Sequence, residues 1–451
     1  MITVLKFGGT SVQDAKAIAD LVEIVQSRPG QKLVVVSALA QVTDSLIKVS
    51  KFCEDAEVQQ AQHLVMDLYE RHKNVARKLS LTEPKLKLLE ELFLGLGTMV
   101  SGLCTIGEVS TRSRDQLIAV GELASSYLVH GALIANKIPA TWADAREYIS
   151  TNSDFNFATV NFEVTQKQIR ERLKTQLESQ IVVTQGFIAS DSRGITTTLG
   201  RGGSDYSAAV FGAGLEADKV EIWTDVDGIM SADPRLVPEA IVIRRIHFLE
   251  AAEMAYFGAK VLHPATIYPA ISQKIPVWIL NSRNPGGTGT EITFDDRFKA
   301  ETICGVAYKK NVTLVNIYST RMLGAHGFLK SVFDIFARFR LSVDLISTSE
   351  VNLSLTLDPN FDAQSLQNAR EELKLFSEVE INGDRAMISV IGGGIRRTHG
   401  LAAKIFSELG DTNVQMISMG ASELNISFVV NTSQTEGVVR KLHQALITRS
   451  H

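Results

Sequence analysis

Lys6-Phe7-Gly8-Gly9-Thr10-Ser11, set directly after the apolar run Ile2-Thr3-Val4-Leu5, constrains the fold more than any other stretch of the chain. The apolar run reads as a buried strand. The two glycines at its end let backbone amides come close to a ligand, because no Cβ stands in the way. Thr10 and Ser11 are placed to cap a helix predicted from about Val12. Strand, Gly-Gly turn and helix start together make an anion-binding concavity, and Lys6 adds a mobile cation at its rim. An ordinary βα turn with a surface lysine fits the same six residues equally well. The lysine precedes the glycines, so the run is not a G-x-x-x-x-G-K-[ST] loop, and no G-x-G-x-x-G opens a helix here.

A chain of 451 residues is expected to hold roughly three domains. Apolar residues at 45% and charged residues at 21% are those of a globular protein. A net charge of −4, with no basic cluster, argues against a nucleic-acid partner. Cys53, Cys104 and Cys304 are far apart in sequence, odd in number and apolar in context. They read as free core thiols in a reducing cytoplasm, not as a disulfide or metal framework. No targeting segment is expected before the first strand. The longest uncharged stretch, Leu92 to Gly107, carries four glycines and is too short to span a bilayer, so a buried helix and no membrane are expected.

Up to about residue 300, strand-like runs (Leu33–Ser37, Ile181–Phe187, Lys219–Thr224, Ile275–Leu280) alternate with helical patterns (Gln59–Leu79, Asp115–His130, Phe248–Phe257). That alternation predicts an α/β fold with a mainly parallel sheet covered on both faces, interrupted by a helical insertion or lid over about 51–110. Beyond 300 the chain repeats itself. Gly327–Phe333 is echoed by Gly400–Phe406, and Val351–Leu355 by Leu424–Phe428, at one offset of 73 residues. A duplicated βαββαβ unit follows from this. The strand Thr302–Tyr308, lying before the first copy, is expected to complete the second, so that one copy is inserted in the other.

Three more motifs carry chemistry. Gly200-Arg201-Gly202-Gly203-Ser204-Asp205 is a second glycine-rich helix start, with an arginine able to grip a carboxylate through two bonds. Trp223-Thr224-Asp225-Val226-Asp227-Gly228, running on to Asp233-Pro234-Arg235, is a polar loop at a strand's carboxyl end, where open α/β sheets bind ligands. Phe257-Gly258-Ala259-Lys260-Val261-Leu262-His263-Pro264 presents another lysine at a helix boundary. Singly, each is a loop with solvated charges. Together with the opening run they describe a site for a polyphosphate and an anionic co-substrate.

These motifs, over essentially the whole chain, resemble the aspartokinases of the amino acid kinase fold, and the duplicated unit resembles their tandem regulatory ACT domains. The stretches containing MLGAHGFL and VDLISTSE are most similar to the lysine-sensitive monofunctional members. The resemblance implies a three-layer αβα sandwich with a mainly parallel sheet over 1–295, then two ferredoxin-like ACT domains, 312–384 and 300–311 plus 385–451. It implies MgATP-dependent phosphorylation of the L-aspartate β-carboxylate in lysine, threonine and methionine biosynthesis. The acceptor, with a reference pKa of about 3.9, is already ionised at neutral pH and needs no general base. What the reaction needs is positive charge and oriented amides around the phosphoryl group.

By the same resemblance, Lys6 neutralises phosphoryl charge, Gly8 and Gly9 offer amide donors, and Asp205 orients Lys6. Arg201 clamps a substrate carboxylate, Glu122 pairs with its ammonium, and Thr43, Gly202, Gly203 and Ser204 complete that pocket. On residues alone, Glu122 reads as a solvated helix glutamate. Thr224, Asp225, Met230, Arg235, Lys260 and Val261 match nucleotide positions, although Met230 replaces a frequent aromatic. Mg²⁺ is expected to arrive on the phosphates, with no protein-held metal. Gln41 stands where the family usually has glycine. The expected effector is L-lysine, bound across a homodimer of ACT units, with a dimer of dimers as the further assembly the resemblance allows. Met322, Ala325, Phe328, Leu329, Val343, Asp344, Ser349 and Glu350 line its pocket, with Ala325 in place of a polar residue. Gln415 falls at the Asp344 position of the second copy, so only the first copy is expected to bind. Two other readings fit: a kinase for another small anion, or a non-catalytic amino-acid sensor.

Overall fold

The computed structural model describes residues 1–258, 262–295, 303–324, 326–358 and 360–447. They form two compact units, Met1–Ile229 with Val261–Phe294, and Met230–Lys260 with Asp295–His451. Met230–Lys260 therefore packs with the second unit, although the sequence reading includes it in 1–295.

The first unit begins with β1 (Ile2–Phe7), α1 (Ala15–Ser27) and β2 (Gln31–Val36). Four helices follow without an intervening strand: α2 (Val42–Glu54), α3 (Val58–Lys78), α4 (Glu83–Ile106) and α5 (Thr111–Ala135). Next come β3 (Ala140–Trp142), β4 (Ser150–Thr151), α6 (Phe162–Gln168), α7 (Lys174–Leu177), β5 (Ile181–Gln185), β6 (Ile188–Asp191), β7 (Thr196–Thr198), α8 (Gly203–Leu215) and β8 (Lys219–Thr224). After β9 (Arg245–His247) and α9 (Phe248–Tyr256) of the second unit, α10 (Pro264–Ser272), β10 (Val277–Asn281) and β11 (Thr290–Thr293) complete the first.

Its main sheet has the order β3-β5-β2-β1-β8-β10-β11, parallel throughout except for β11. Val4, Leu5 and Phe7 of β1 are wholly buried, as a central strand covered on both faces requires. The mainly parallel α/β prediction is borne out.

Two local expectations are corrected. Thr10 and Ser11 cap nothing: Gly9–Val12 is a single 3₁₀ turn, and α1 starts at Ala15, capped by the Asp14 carboxylate accepting from the Ala17 amide at 2.9 Å. The stretch Leu92–Gly107 belongs to a longer helix, α4, that buries one face only (Leu89, Phe93, Leu96, Val100, Leu103) and exposes Leu94 and Ile106. By length and composition α4 and α5 could each cross a membrane, but 89% of the apolar window of α5 is buried within the protein, against 28% for α4. Cys53 of α2 and Cys104 of α4, remote in sequence, are neighbours with sulfurs 3.2 Å apart, both as free thiols. Burial, with the neighbouring thiol, pushes Cys53 up to about 12.

The second unit adds β12 (Gly305–Tyr318), α11 (Phe328–Arg338), β13 (Val343–Thr348), β14 (Asn352–Leu357), α12 (Ala363–Leu373), β15 (Glu378–Ile391), α13 (Leu401–Ser407), β16 (Met416–Met419), β17 (Asn425–Asn431) and α14 (Thr435–Leu446). They form an antiparallel sheet of order β13-β14-β12-β15-β17-β16. The long strands β12 and β15 lie side by side and each serves both copies of the repeat. Gly305–Lys310 pairs with Ala386–Ile391 of the second copy, as expected of the strand before the first. The strands break register at Lys310–Val312, where Asn311 takes φ +61° and Asp384 takes φ +52°. Gly327 and Gly400, 73 positions apart, cap α11 and α13 at φ +85° and +74°, a conformation that glycine adopts without a Cβ penalty.

Candidate active site

Strands β5, β2, β1 and β8 are adjacent and parallel, so their carboxyl ends open at one edge of the sheet, where α/β folds place ligands. Most of the residues singled out in the first unit collect there. Lys6 leaves β1 with its ammonium 2.6 Å from Asp205 Oδ1 in the first turn of α8, an ion pair with both side chains largely buried. A Cβ on Gly8 would lie 3.5 Å from that ammonium, so glycine keeps the space around it open. A Cβ on Gly9 would lie 3.1 Å from the Ala38 carbonyl, so glycine is what lets the β1 and β2 loops meet.

One expectation about this turn fails. The Gly8 amide donates to the Trp223 carbonyl at 3.1 Å, tying β1 to β8, and is not free for a ligand. The donors left by the turn are those a helical start cannot satisfy internally, at Gly9 and Thr10.

Glu122 is the most informative side chain in the unit. It lies on α5, 3% exposed, with Oε1 accepting from the Ala38 amide at 3.4 Å and Oε2 buried without a partner. It is no solvated helix glutamate. Burial, opposed only by backbone bonds, pushes its carboxyl up to about 8. Glu122 and Gly9 both approach Ala38, which brings the Glu122 carboxylate near the glycine turn. Thr43 occupies the first turn of α2. That helix is entered through Gln41 at φ +68°, the left-handed conformation that glycine would take at little cost.

The GRGG segment is built by β7 and α8. Asp115 of α5 is buried and accepts from the Thr198 amide and hydroxyl and from the Asn156 amide, fixing the end of β7. Gly202 caps α8 at φ +74°. Gly203 and Ser204 follow in its first turn, Gly203 packed on Phe187 and its amide donating to the Gly200 carbonyl. Arg201 projects into solvent and makes no hydrogen bond or ion pair among the described residues. Thr224 ends β8 and Asp225 follows it; the Thr224 carbonyl accepts from the Ser282 amide and hydroxyl, and Asp225 is exposed.

Sequence reasoning passed over Ala38, Gly121 and Gly186. A Cβ on Gly186, just after β5, would lie 2.6 Å from Ser204 Cβ, and one on Gly121 would lie 3.0 Å from Ala38 Cβ. Glycines at a strand end and mid-helix were the available signal.

Met230, Arg235 and the effector positions belong to the second unit. Met230 is half-buried and bridges Val242. Arg235 is held by Asp233 at 2.6 Å, and Tyr308 donates to the same carboxylate at 2.8 Å. The Arg235 bond holds Asp233 down at about 2. Lys260, Val261 and Ala325 lie outside the described residues. Met322 ends a 3₁₀ turn, Phe328 and Leu329 open α11, and Ser349 and Glu350 are exposed after β13. Val343 and Asp344 lie on β13, and Asp344 is engaged by Lys309 and Tyr256. Gln415 bonds Arg385 and Asn431.

The amino acid kinase family model matches residues 1–281, and an ACT domain model matches 388–446. The lysine-sensitive aspartokinase 3 of Escherichia coli (strain K12) is 38% identical over 457 residues, covering 99% of either chain. The chain belongs to the amino acid kinase family, and within it to the aspartokinases. The chloroplastic aspartokinase 2 of Arabidopsis thaliana is 36% identical over 98% of this chain and 84% of its own. Among solved aspartokinases, E. coli aspartokinase III in complex with lysine and aspartate superposes with a TM-score of 0.86 at 37% identity. The same enzyme in complex with aspartate and ADP gives 0.83 at 37%; each covers 99% of this chain.

Proposed function

We propose that the protein transfers the γ-phosphoryl group of MgATP to the β-carboxylate of L-aspartate, giving 4-phospho-L-aspartate for lysine, threonine and methionine synthesis. The single observation that carries the reading is Glu122: a buried carboxylate near the glycine turn, with one oxygen orphaned, is a receptor for an ammonium group. Arg201, free in solution, supplies the complementary charge for the α-carboxylate. Glu122 and Arg201 thus recognise the two ends of an α-amino acid, with Thr43, Gly202, Gly203 and Ser204 around them. A kinase for an anion without an ammonium would have no use for Glu122, and a pure amino-acid sensor none for Lys6 paired with Asp205.

The Lys6 ammonium, fixed by Asp205, meets charge that builds on the transferring phosphoryl, while the amides of Gly9 and Thr10 receive phosphate oxygens. Thr224 and Asp225, with Met230, Arg235, Lys260 and Val261 from the family pattern, are the nucleotide contacts. The residues present suit a nucleotide brought in as its Mg²⁺ complex, and the ion supplies charge neutralisation on the phosphates. Glu122 must be ionised to hold the ammonium, so aspartate binding carries a proton release. A coupled ATPase assay against a panel of small amino acids tests the assignment; equal turnover with acids lacking an α-ammonium would refute it.

Feedback by L-lysine at the first ACT copy, through Met322, Ala325, Phe328, Leu329, Val343, Asp344, Ser349 and Glu350 across a homodimer, belongs to the same proposal. So does a cytoplasmic location, which the free thiols support. The support for an effector site is the exposed start of α11 and the buried carboxylate of Asp344 on β13. A fit of the concentration-dependent sedimentation profile, with and without lysine, tests the dimer.

A further inference from the structure

Asp344 on β13 is wrapped by its own chain. Its side chain is 1% exposed, with the Lys309 ammonium of β12 at 3.0 Å from Oδ2. Tyr256, the last residue of α9, donates its phenolic hydroxyl to Oδ1 at 2.5 Å. The same ammonium contacts Asp358, just beyond β14, and lies 4.9 Å from the centre of the Tyr256 ring. One cation therefore serves two carboxylates, and the cluster carries one negative charge in excess. Burial and the Asp344 bond hold the Tyr256 hydroxyl well above the ordinary phenol range, so it stays a donor.

That excess makes the cluster receptive to a second ammonium. Lys309 can keep Asp358 while a newcomer takes Asp344, and no carboxylate is left unpaired. A newcomer seated on Oδ1 displaces the Tyr256 hydroxyl from its acceptor. The phenol is the link between β13 and the C-terminal end of α9, whose start is held independently: Glu250 accepts from the His247 and Gly393 amides. Two residues past Tyr256, Gly258 sits at φ +141° against the Tyr308 carbonyl with no room for a side chain, so the chain there follows any shift of β12. The matching position of the second copy, Gln415, is neutral and bonded to Arg385, so no such exchange is open to it.

Resting on the effector-site reading above, we infer that Lys309 is a tethered occupant of Asp344, competing with the side-chain ammonium of a basic amino-acid effector, and that Tyr256 is the positioning residue through which the exchange reaches α9. Effector strength is then set by an intramolecular cation as well as by the pocket lining.

The test titrates the full chain calorimetrically with L-lysine and with L-norleucine, which lacks the side-chain ammonium, and follows inhibition of phosphoryl transfer. Lys309→Met combined with Asp358→Asn removes one charge of each sign and preserves the net charge of the cluster. This variant should bind lysine roughly tenfold tighter than the natural protein, norleucine binding should be unchanged, and uninhibited turnover should be retained. Tyr256→Phe should bind lysine with little change yet show weaker maximal inhibition at saturation. Unchanged or weaker lysine binding by the double variant, while the natural protein is still inhibited, overturns the competition and leaves the effector site standing. Full inhibition of Tyr256→Phe overturns the role of the phenol. Lysine binding to neither protein removes the effector site as well.

Discussion

Glu122 in the first unit and Asp344 in the second are both carboxylates assigned to an ammonium ligand, and they are prepared in opposite ways. Glu122 is buried with one oxygen unpaired among the described residues, which costs stability. Asp344 is buried as deeply, but Lys309 and Tyr256 satisfy it. A substrate site gains from preorganisation, because every turnover repeats the binding step. A control site gains from exchange, because a ligand shifts an equilibrium only by its differential affinity for two states. Charge supply makes the difference: among the described residues no cation bonds Glu122, whereas a cation on β12 reaches Asp344.

The contrast can be tested from its strongest side down. Lys6→Ala should lower kcat by about 10²–10³ with circular dichroism unchanged, since its charge is needed in full only as the phosphoryl transfers. A kcat within a few fold of normal would place the transition-state charge elsewhere.

Glu122→Gln should raise the KM for aspartate by about 10- to 150-fold, the worth of a hydrogen bond to a charged group of about 1.5–3 kcal/mol, and spare the KM for ATP. An equal rise in both constants would make Glu122 structural. The pH dependence has a definite sign. The Glu122 carboxyl is raised from 4.5 to about 8 in the folded chain, so the folded state holds an extra proton between those values. Stability without ligand should fall as pH climbs through that window, while aspartate affinity rises towards about pH 8. The glutamine variant should flatten both curves in thermal and kinetic titrations.

Asp344→Ala should weaken lysine inhibition by roughly tenfold and leave uninhibited turnover alone, since Lys309 retains Asp358. Inhibition curves that superpose on those of the natural protein would exclude Asp344 from the effector site. Gln41→Gly should have the smallest effect, a gain of at most about 1 kcal/mol from relief of the left-handed backbone, seen in the thermal midpoint. No gain would mean that the turn into α2 stores no strain.

Much of the molecule was legible beforehand, and the residues show why. The runs Lys219–Thr224 and Ile181–Gln185 announce themselves because central parallel strands are buried on both faces and read as continuous apolar segments. Gly327 and Gly400 revealed the duplication, since a left-handed cap favours glycine in each copy. The start of α1 was misread because Thr10, Ser11 and Asp14 are all good caps, and only backbone geometry chooses among them. The Gly8 amide was counted as a ligand donor because the carbonyl it meets comes from Trp223, more than two hundred residues away.

What the sequence by itself determined was local: the periodicities that make strands and helices, the glycines that permit close approach, and the residue types phosphoryl transfer requires. Which charges are satisfied was decided by tertiary structure alone. Lys6 meeting Asp205, Glu122 meeting no cation among the described residues, and Asp344 meeting Lys309 and Tyr256 each depend on elements distant along the chain. Electrostatic interaction falls off with separation in space and grows as water is excluded, and neither quantity is written in sequence spacing.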